Sequence, residues 1–219
     1  VMRWPKVHQW LSRIREAGIP KEMQAPANIS PAGGIEALHA ALDALDIETM
    51  ARVEKLATAP YDKVVFVCAS TVMTAPIEWL AVLLGMGCNV TLKRPATALH
   101  IWDDWAQLAI GLPLKITTVR DCIQEADLVI AMGSNETIDM IREQVRPDTK
   151  FIGFGHKFSV AWVTEHPMQN DPLVPESFQS TWDSVAADAV LHDGRGCMSP
   201  CIVLTTVPMN SALKHLHAA

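Results

Sequence analysis

The sequence predicts an α/β protein built on a doubly wound parallel sheet, followed by the start of a second α/β domain. From residue 63 onwards, short apolar runs of strand length alternate with stretches whose apolar residues recur at helical spacing. The connections between these runs are long enough for the crossovers that parallel strands require. The first 62 residues, by contrast, show only helical spacing.

The N-terminal segment, residues 1–62, is therefore predicted to be helical. Apolar residues in Val7–Ala17 follow helical spacing, and the pattern stops at Gly18-Ile19-Pro20, which is typical of a helix end. After a joint rich in proline and glycine, Ile35–Ala57 has the pattern of one amphipathic helix or of a pair of helices.

Residues 63–155 are predicted to form an α/β domain. Its expected strands are Val64–Ala69, Asn89–Lys93, Leu114–Val119, Asp127–Met132 and Lys150–Gly155, and its expected helices are Pro76–Met86, Leu99–Ile110 and Asn135–Val145.

We place a domain boundary near Gly155–Lys157, where this regular alternation ends. Residues 156–219 form the second, partial domain. Its expected strands are Phe158–Val163 and Cys201–Val207, and its expected helices are Ser180–Leu191 and Ser211–His217. Cys201, which begins the second of these strands, is expected to be buried.

Composition excludes several classes of protein. The net charge of -6, from 18 basic and 24 acidic residues, argues against a nucleic-acid-binding protein. The longest uncharged apolar stretches, Val64–Ile77 and Trp79–Leu92, are shorter than the about 20 residues that span a bilayer. The N-terminus lacks an apolar signal core, and the five cysteines have no disulfide-framework spacing. We therefore expect a cytoplasmic protein with no membrane span and no nucleic-acid partner.

Polar residues follow three of the predicted strands. They are Ser70-Thr71, Lys93-Arg94 and Gly133-Ser134. Ligands of open parallel sheets bind at the carboxyl ends of strands. Gly133-Ser134 opens a helix, so it either receives a phosphate or only caps the helix. The glycine-rich dinucleotide fingerprint is absent, so any dinucleotide must be held in another way.

The segment HDGRGCMSPC contains Cys197 in a loop between a helix and a strand. Such a loop can expose a thiol and direct backbone N–H groups at an oxyanion. Two alternatives remain open. Cys197 is a buried, inert cysteine, or it joins His192 and Cys201 as ligands of a metal ion.

Four segments in order give a family resemblance. NVTLKRPATA, DLVIAMGSNETIDMI, KFIGFGHKFSVAWV and DGRGCMSP resemble the aldehyde dehydrogenase superfamily, over about Lys63–Thr206. Their counterparts there are a strand ending in Lys-Pro, a Gly-Ser helix start, a Gly-Gly-Lys turn and the nucleophile loop. The Gly-Cys-x-Ser-Pro form looks like the acyl-CoA reductases, including the fatty-acid reductase component of bacterial bioluminescence.

The resemblance implies roles for individual residues. Cys197 matches the nucleophile that carries the acyl group. Lys93 matches the lysine that hydrogen-bonds the adenosine ribose of the cofactor, and Gly133 and Ser134 match the pyrophosphate contact. Ser70 lies about where the superfamily keeps an asparagine as oxyanion donor, so its hydroxyl substitutes for that asparagine only in part.

Two departures from the family pattern refine the expected activity. Gly153 stands where aldehyde-oxidising members keep the glutamate that activates the deacylating water, which favours acyl reduction over aldehyde oxidation. Ala96 stands where many NAD-preferring members keep a glutamate that would repel a 2′-phosphate. With Arg94 nearby, this favours NADP(H) as the cofactor, although NAD(H) is possible.

The resemblance therefore implies NAD(P)H-dependent reduction of an acyl thioester, such as an acyl-CoA, to an aldehyde through a Cys197 acyl-enzyme. The alternative is a non-catalytic domain of the same fold that binds a nucleotide or a partner. In the family, a long stretch follows the nucleophile loop and completes the catalytic domain. We therefore expect exposed apolar surface in residues 156–219, because the chain is a fragment, is paired with a second polypeptide or forms a homo-oligomer through that face.

Overall fold

The computed structural model describes residues 2–19, 30–56, 61–164, 178–194, 196 and 198–218. The chain divides into two compact units, Val1–His156 and Lys157–Ala219. The first unit contains α1 (Trp4–Ala17), α2 (Pro31–Asp43), α3 (Ile47–Leu56), β1 (Lys63–Val67), α4 (Pro76–Gly85), β2 (Asn89–Lys93), α5 (Ile101–Gln107), β3 (Leu114–Thr117), β4 (Leu128–Met132), α6 (Asn135–Arg142) and β5 (Lys150–Phe154). The second contains β6 (Val160–Val163), α7 (Phe178–Val190), β7 (Ile202–Thr205) and α8 (Met209–Ala218).

The sheet of the first unit has the strand order β3-β2-β1-β4-β5, and every neighbouring pair is parallel. The chain runs outwards from β1 to β3, returns beside β1 as β4, and continues to β5. Val67 at the end of β1 pairs with Lys93 of β2 and with Ala131 of β4. The predicted doubly wound parallel sheet is confirmed.

One face of this sheet is covered by helices, including those of the N-terminal segment. Apolar residues of β1, β2 and β4 pack there with residues of α1, α2, α4 and α5 in one core. Two indoles are also anchored by hydrogen bonds, since Trp10 Nε1 donates to the Trp105 carbonyl at 2.8 Å and Trp102 Nε1 donates to the Met73 carbonyl at 3.1 Å. The predicted helical segment is therefore part of the first unit's core.

The opposite face is covered only in part. Val65 and Val67 of β1 pack there with residues of β4 and α6 and with Ile123. Ile123 belongs to a short 3-10 helix over Asp121–Glu125, an element that the apolar pattern did not predict. Further along the same face, the outward residues of β2 and β3 are polar: Thr91, Lys93 and Thr117 are half-buried and Lys115 is exposed.

The second unit contains a two-stranded parallel sheet of β6 and β7. One side packs Val163 into a small core with Trp182 of α7 and Ala212 of α8. The other side is apolar and open. Its four side chains are 44–76% exposed: Val160, Trp162, Ile202 and Leu204. The expectation of exposed apolar surface in residues 156–219 is thus confirmed.

Several element boundaries differ from the sequence-based prediction. The pattern of Ile35–Ala57 belongs to two helices, α2 and α3, separated by a turn at Ala44-Leu45. The prediction that Cys201 is the buried first residue of a strand is wrong. Cys201 is exposed and precedes β7; its N–H donates to the Ser159 carbonyl at 2.9 Å and its thiol to the Ser199 carbonyl at 4.0 Å. None of the helices in the described part of the chain is long and apolar enough to cross a membrane.

Gly85 at the end of α4 lets α1 dock against α4. The Arg3 N–H donates to the Gly85 carbonyl at 2.8 Å, and a Cβ at position 85 would overlap the ring of buried Trp4. We predict that Gly85→Ala lowers the free energy of unfolding by about 1–3 kcal/mol, measured by denaturant titration, because the indole must move. A glycine-to-alanine change in an unconstrained helix stabilises instead, so a more stable variant would contradict this packing.

Candidate functional site

The carboxyl edge of the first sheet brings together the residues predicted at the strand ends. Because β1 lies between β2 and β4, the loop after β1 with Ser70, the end of β2 with Lys93 and the turn after β4 with Gly133 and Ser134 are neighbours at this edge. The winding direction changes between β1 and β4, which is where open α/β sheets bind ligands.

Lys93 is half-buried at the end of β2. Burial, and secondly the positive charge of Arg120, lower the pKa of its ammonium group. Its backbone is fixed by β1, because its carbonyl accepts a hydrogen bond from the Cys68 N–H at 3.1 Å. The structure therefore holds a cation at the place where the resemblance implies a ribose contact.

Arg94, the neighbour of Lys93, is only 8% exposed. Its guanidinium makes a bidentate ion pair with Asp103 of α5 at 3.2 and 2.6 Å and donates to the Pro95 carbonyl at 2.9 Å. A 2′-phosphate would have to displace these bonds. The geometry speaks against the predicted cofactor contact of Arg94 and gives this residue a structural role in joining β2 to α5.

Ser134 caps α6. Its Oγ accepts the Thr137 N–H at 3.2 Å. The carboxylate of Glu136 also lies at this helix end, where its own backbone N–H and the Ser134 hydroxyl lower its pKa. A pyrophosphate bound here would compete with this carboxylate, which is on an exposed, movable side chain. Of the two interpretations of Gly133-Ser134, capping is visible in the structure.

Gly133 allows the strand to turn closely over α6. A Cβ at this position would lie 3.2 Å from Cγ2 of Thr137. Ser70 is exposed on the loop after β1, and the far end of that loop is anchored by the hydrogen bond from Trp102 to Met73.

Cys197 and Arg195 lie outside the described residues, but the rest of their loop is held on both sides. Buried Ser199 donates from Oγ to the Leu191 carbonyl at 3.1 Å, and its N–H donates to the Gly196 carbonyl at 3.0 Å. A Cβ at Gly196 would lie 3.1 Å from both the His192 ring and Ser199 Oγ. A side chain at position 196 would therefore be crowded by His192 and Ser199.

His192 begins a strained turn ahead of Cys197. His192 and Asp193 have φ of 55° and 53°, in the left-handed region that is unfavourable for side chains with a Cβ, and Gly194 follows with φ 71°. The Nδ1 of His192 is buried without a hydrogen-bond partner, and burial lowers the pKa of its imidazole. No group of His, Cys, Asp and Glu suited to a metal ion occurs among the described residues; the metal alternative includes Cys197 and stays untested.

Three other cysteines are poor nucleophiles in this structure. Burial raises the pKa of the Cys68 thiol to about 12, and burial also raises the pKa values of Cys88 and Cys122. Since the thiolate is the reactive form, these thiols react slowly near neutral pH. Cys201 is exposed and is therefore the appropriate internal comparison for Cys197.

Gly153, at the position of the family's deacylating glutamate, lies in β5 opposite Ala131. A Cβ there would lie 2.7 Å from Cγ2 of Ile138 and 3.0 Å from Cε1 of Phe151. The position therefore has no room for a larger side chain unless α6 shifts.

Sequence reasoning missed Arg120, which follows β3 at the same edge as Lys93. Its guanidinium has no ion-pair or hydrogen-bond partner in the part of the chain that the structure describes. The signal that would have found it is its position: three residues after a strand that neighbours β2.

The comparisons with known proteins agree with this architecture. Residues 108–215 match the family model described as acyl-CoA reductase (LuxC). No curated protein is significantly similar in sequence.

Solved structures of aldehyde dehydrogenases share the fold. A NAD-dependent benzaldehyde dehydrogenase from Corynebacterium glutamicum is 13% identical with TM-score 0.68, covering 99% of this chain and 53% of that one. A betaine aldehyde dehydrogenase from Staphylococcus aureus in complex with NAD+ is 12% identical with TM-score 0.67, covering 97% and 48%. An NADP-dependent glyceraldehyde-3-phosphate dehydrogenase from Bacillus halodurans is 12% identical with TM-score 0.64, covering 98% and 51%.

The chain thus spans about half the length of these structures. The match to the acyl-CoA reductase model extends through the loop that contains Cys197. Residues 108–215 are thus similar to the LuxC acyl-CoA reductases, and the chain has the fold of the aldehyde dehydrogenases.

Proposed function

We propose that this chain is part of an oxidoreductase that reduces an acyl thioester, such as an acyl-CoA, to an aldehyde through an acyl-enzyme on Cys197. The observation that carries the proposal is the match to acyl-CoA reductases, which includes the Cys197 loop. Gly153 supports it, because side chains pack closely around this position and leave it without a carboxylate. A glutamate there would activate a water molecule that hydrolyses the acyl-enzyme, and the thioester would be wasted.

In this mechanism the thiolate of Cys197 attacks the thioester carbonyl and forms a new carbon–sulfur bond. Backbone N–H groups of the loop stabilise the oxyanion, and the carrier thiolate leaves with the electron pair of the broken bond and takes up a proton. A bound nicotinamide cofactor supplies the hydride that reduces the acyl group. The resulting thiohemiacetal on Cys197 then releases the aldehyde and regenerates the thiolate.

The residues present fit such a cofactor at the carboxyl edge of the first sheet. Lys93 supplies a half-buried cation. Gly133 has no Cβ, so no side chain at this position occupies the space beside the start of α6. We propose that Lys93 holds the adenosine ribose and that Gly133 and Ser134 hold the pyrophosphate, once the exposed Glu136 carboxylate moves aside. The absence of a carboxylate at Ala96 favours NADP(H), with NAD(H) possible.

A second candidate function is a non-catalytic domain that binds a nucleotide or a partner. The observations that favour it are Ser70, where the resemblance implies an asparagine as oxyanion donor, and Gly153, where it implies the glutamate base. Thiol labelling at neutral pH separates the two candidates, because a catalytic Cys197 reacts much faster than Cys201, Cys68, Cys88 and Cys122.

We also propose that another polypeptide surface covers the open side of the β6–β7 sheet. The occupant is a second copy of this chain or a second polypeptide that completes the catalytic domain. Exposed Trp162 and Leu204 lie in register on this side and form an apolar patch of the kind that marks an interaction surface. A cytoplasmic location stays a prediction.

We predict that Cys197→Ala abolishes acyl-enzyme formation and leaves cofactor binding nearly unchanged. Mass spectrometry of the intact protein after incubation with a panel of acyl-CoAs measures the acyl adduct. Cys201→Ala is the matched control and retains the adduct, because Cys201 is an exposed residue directly before β7 and is not the predicted nucleophile. An adduct on Cys201 and none on Cys197 would show that the nucleophile is wrongly assigned.

We predict tighter binding of NADPH than of NADH, or at least comparable binding of both, because Ala96 presents no negative charge to a 2′-phosphate. Fluorescence quenching of the wild-type chain, titrated with each cofactor, measures the difference. If NADH binds tenfold more tightly, about 1.4 kcal/mol, the argument from Ala96 fails.

We predict that the chain self-associates or requires a second polypeptide, because of its open apolar sheet face. Size-exclusion chromatography with light scattering should detect species larger than the 24.0 kDa chain. Trp162→Glu should reduce self-association, since it places a charge at the centre of the face. A monodisperse monomer that reduces acyl-CoA unaided would contradict the prediction.

A further inference from the structure

The turn that leads from α7 towards Cys197 has an unfavourable backbone conformation. Three consecutive residues, His192, Asp193 and Gly194, have φ of 55°, 53° and 71°. This left-handed region suits glycine, and a Cβ at Gly194 would in addition lie 3.2 Å from the Ala189 carbonyl oxygen. For His192 and Asp193 the same conformation costs free energy, and it persists only where the surrounding structure holds it.

The side chain of His192 carries a second cost. Its Nδ1 is buried and has no hydrogen-bond partner among the residues that the structure describes. A buried ring nitrogen without a partner has lost its hydrogen bonds to water, which is unusual enough in native proteins to need a reason. Burial also lowers the pKa of the imidazole, so the ring is uncharged near neutral pH.

The imidazole of His192 lies against the backbone at Gly196, the residue that precedes Cys197. A Cβ added to Gly196 would lie 3.1 Å from Cδ2 of His192 and 3.1 Å from Oγ of Ser199. Ser199 also joins the two segments by hydrogen bonds, because its Oγ donates to the Leu191 carbonyl at 3.1 Å and its N–H donates to the Gly196 carbonyl at 3.0 Å. His192 and Gly196 are therefore held together directly and through Ser199.

The chain that follows position 197 is held by Ser159, which precedes β6. The Oγ of Ser159 donates to the Met198 carbonyl at 3.1 Å, and its carbonyl accepts the Cys201 N–H at 2.9 Å. The backbone is thus held before position 197 by His192 and Ser199, and after it by Ser159.

We propose that His192 is a positioning residue for the nucleophile Cys197: the left-handed turn holds the imidazole against Gly196, and the ring fixes the backbone that leads into the nucleophile. The inference rests on the proposed function, which makes Cys197 the nucleophile. Backbone N–H groups stabilise a thiolate and an oxyanion only when the loop that carries them is held in one arrangement. Strained residues occur at functional sites for this reason, because the strain is part of the arrangement that the site needs.

The test is the pH dependence of Cys197 alkylation by iodoacetamide, in full chains that also carry Cys201→Ala. Trypsin cleaves after Arg195 and Lys214, so position 197 lies in a peptide whose other cysteine is Cys201, and this background leaves one thiol to follow by mass spectrometry. We expect His192→Gly to slow alkylation at neutral pH by about tenfold and to move the pH midpoint of Cys197 upwards. Glycine accepts the left-handed conformation, so this variant loses the ring without introducing strain.

His192→Asn is the conservative variant. The two terminal atoms of asparagine correspond to Nδ1 and Cδ2 of histidine, and Cδ2 is the atom next to Gly196. Asparagine also tolerates the left-handed conformation. We therefore expect His192→Asn to recover most of the alkylation rate that His192→Gly loses.

A double-mutant cycle tests the contact between His192 and Gly196. Gly196→Ala places a methyl group against the imidazole and should slow alkylation of Cys197 in the parent chain. In His192→Gly the ring is gone, so the same methyl group should have a smaller effect. Cys122 belongs to the first unit and is the internal control, because its alkylation should be the same in every variant.

Three results would overturn the inference while Cys197 remains the nucleophile. His192→Gly could lower the unfolding temperature and leave the rate and pH midpoint of Cys197 unchanged, which would make His192 a residue of stability alone. His192→Asn could react as slowly as His192→Gly, or Gly196→Ala could slow alkylation by the same factor with and without the ring. If Cys197 in the parent chain reacts no faster than Cys122, the proposed function fails and this inference fails with it.

Discussion

In the first unit, the parallel pairing of β1 with β2 on one side and with β4 on the other determines where every candidate ligand contact lies. Val67 is flanked by Lys93 and Ala131, so the segments that leave these three strands emerge side by side. Without this central position of β1, the loop with Ser70, the cation of Lys93 and the start of α6 would belong to separate parts of the surface. The hydrogen bonds of one strand thus assemble the edge at which we place the nucleotide.

The two faces of this sheet are packed to different depths, and the difference has a functional consequence. Helices from both before and after β1 cover one face and bury four tryptophan side chains: Trp4, Trp10, Trp102 and Trp105. On the other face, α6 and one short 3-10 helix cover only part of the sheet. Polar residues of β2 and β3 remain accessible there beside a cavity of about 360 Å³. One face of the sheet is therefore packed against helices, and the other face remains accessible to a ligand.

Arg94 and Arg120 show how the tertiary structure gives different roles to two residues of the same type. Arg94 is adjacent to Lys93 in sequence. Successive side chains at the end of a strand point to opposite faces of the sheet, so Arg94 points towards α5, where Asp103 neutralises it. Arg120 is distant in sequence, but the parallel register of β2 and β3 returns it to the same edge. A buried charge must be paired with an opposite charge within the protein, whereas a charge at the carboxyl edge of the sheet can be paired by a bound ligand. For this reason nearness in sequence to Lys93 does not decide which arginine remains available to a ligand.

The sequence by itself determined the order of strands and helices, the doubly wound sheet and the loop that contains Cys197, because apolar periodicity and glycine or proline positions are local properties of the chain. It also indicated that residues 156–219 leave apolar surface open. Only the tertiary structure decided that Arg94 pairs with Asp103 and that Cys201 is exposed. It also explained Gly153 and Gly196 by the side chains packed against them. These outcomes depend on contacts between residues far apart in the chain, whose distances follow from strand register and helix packing and not from local pattern.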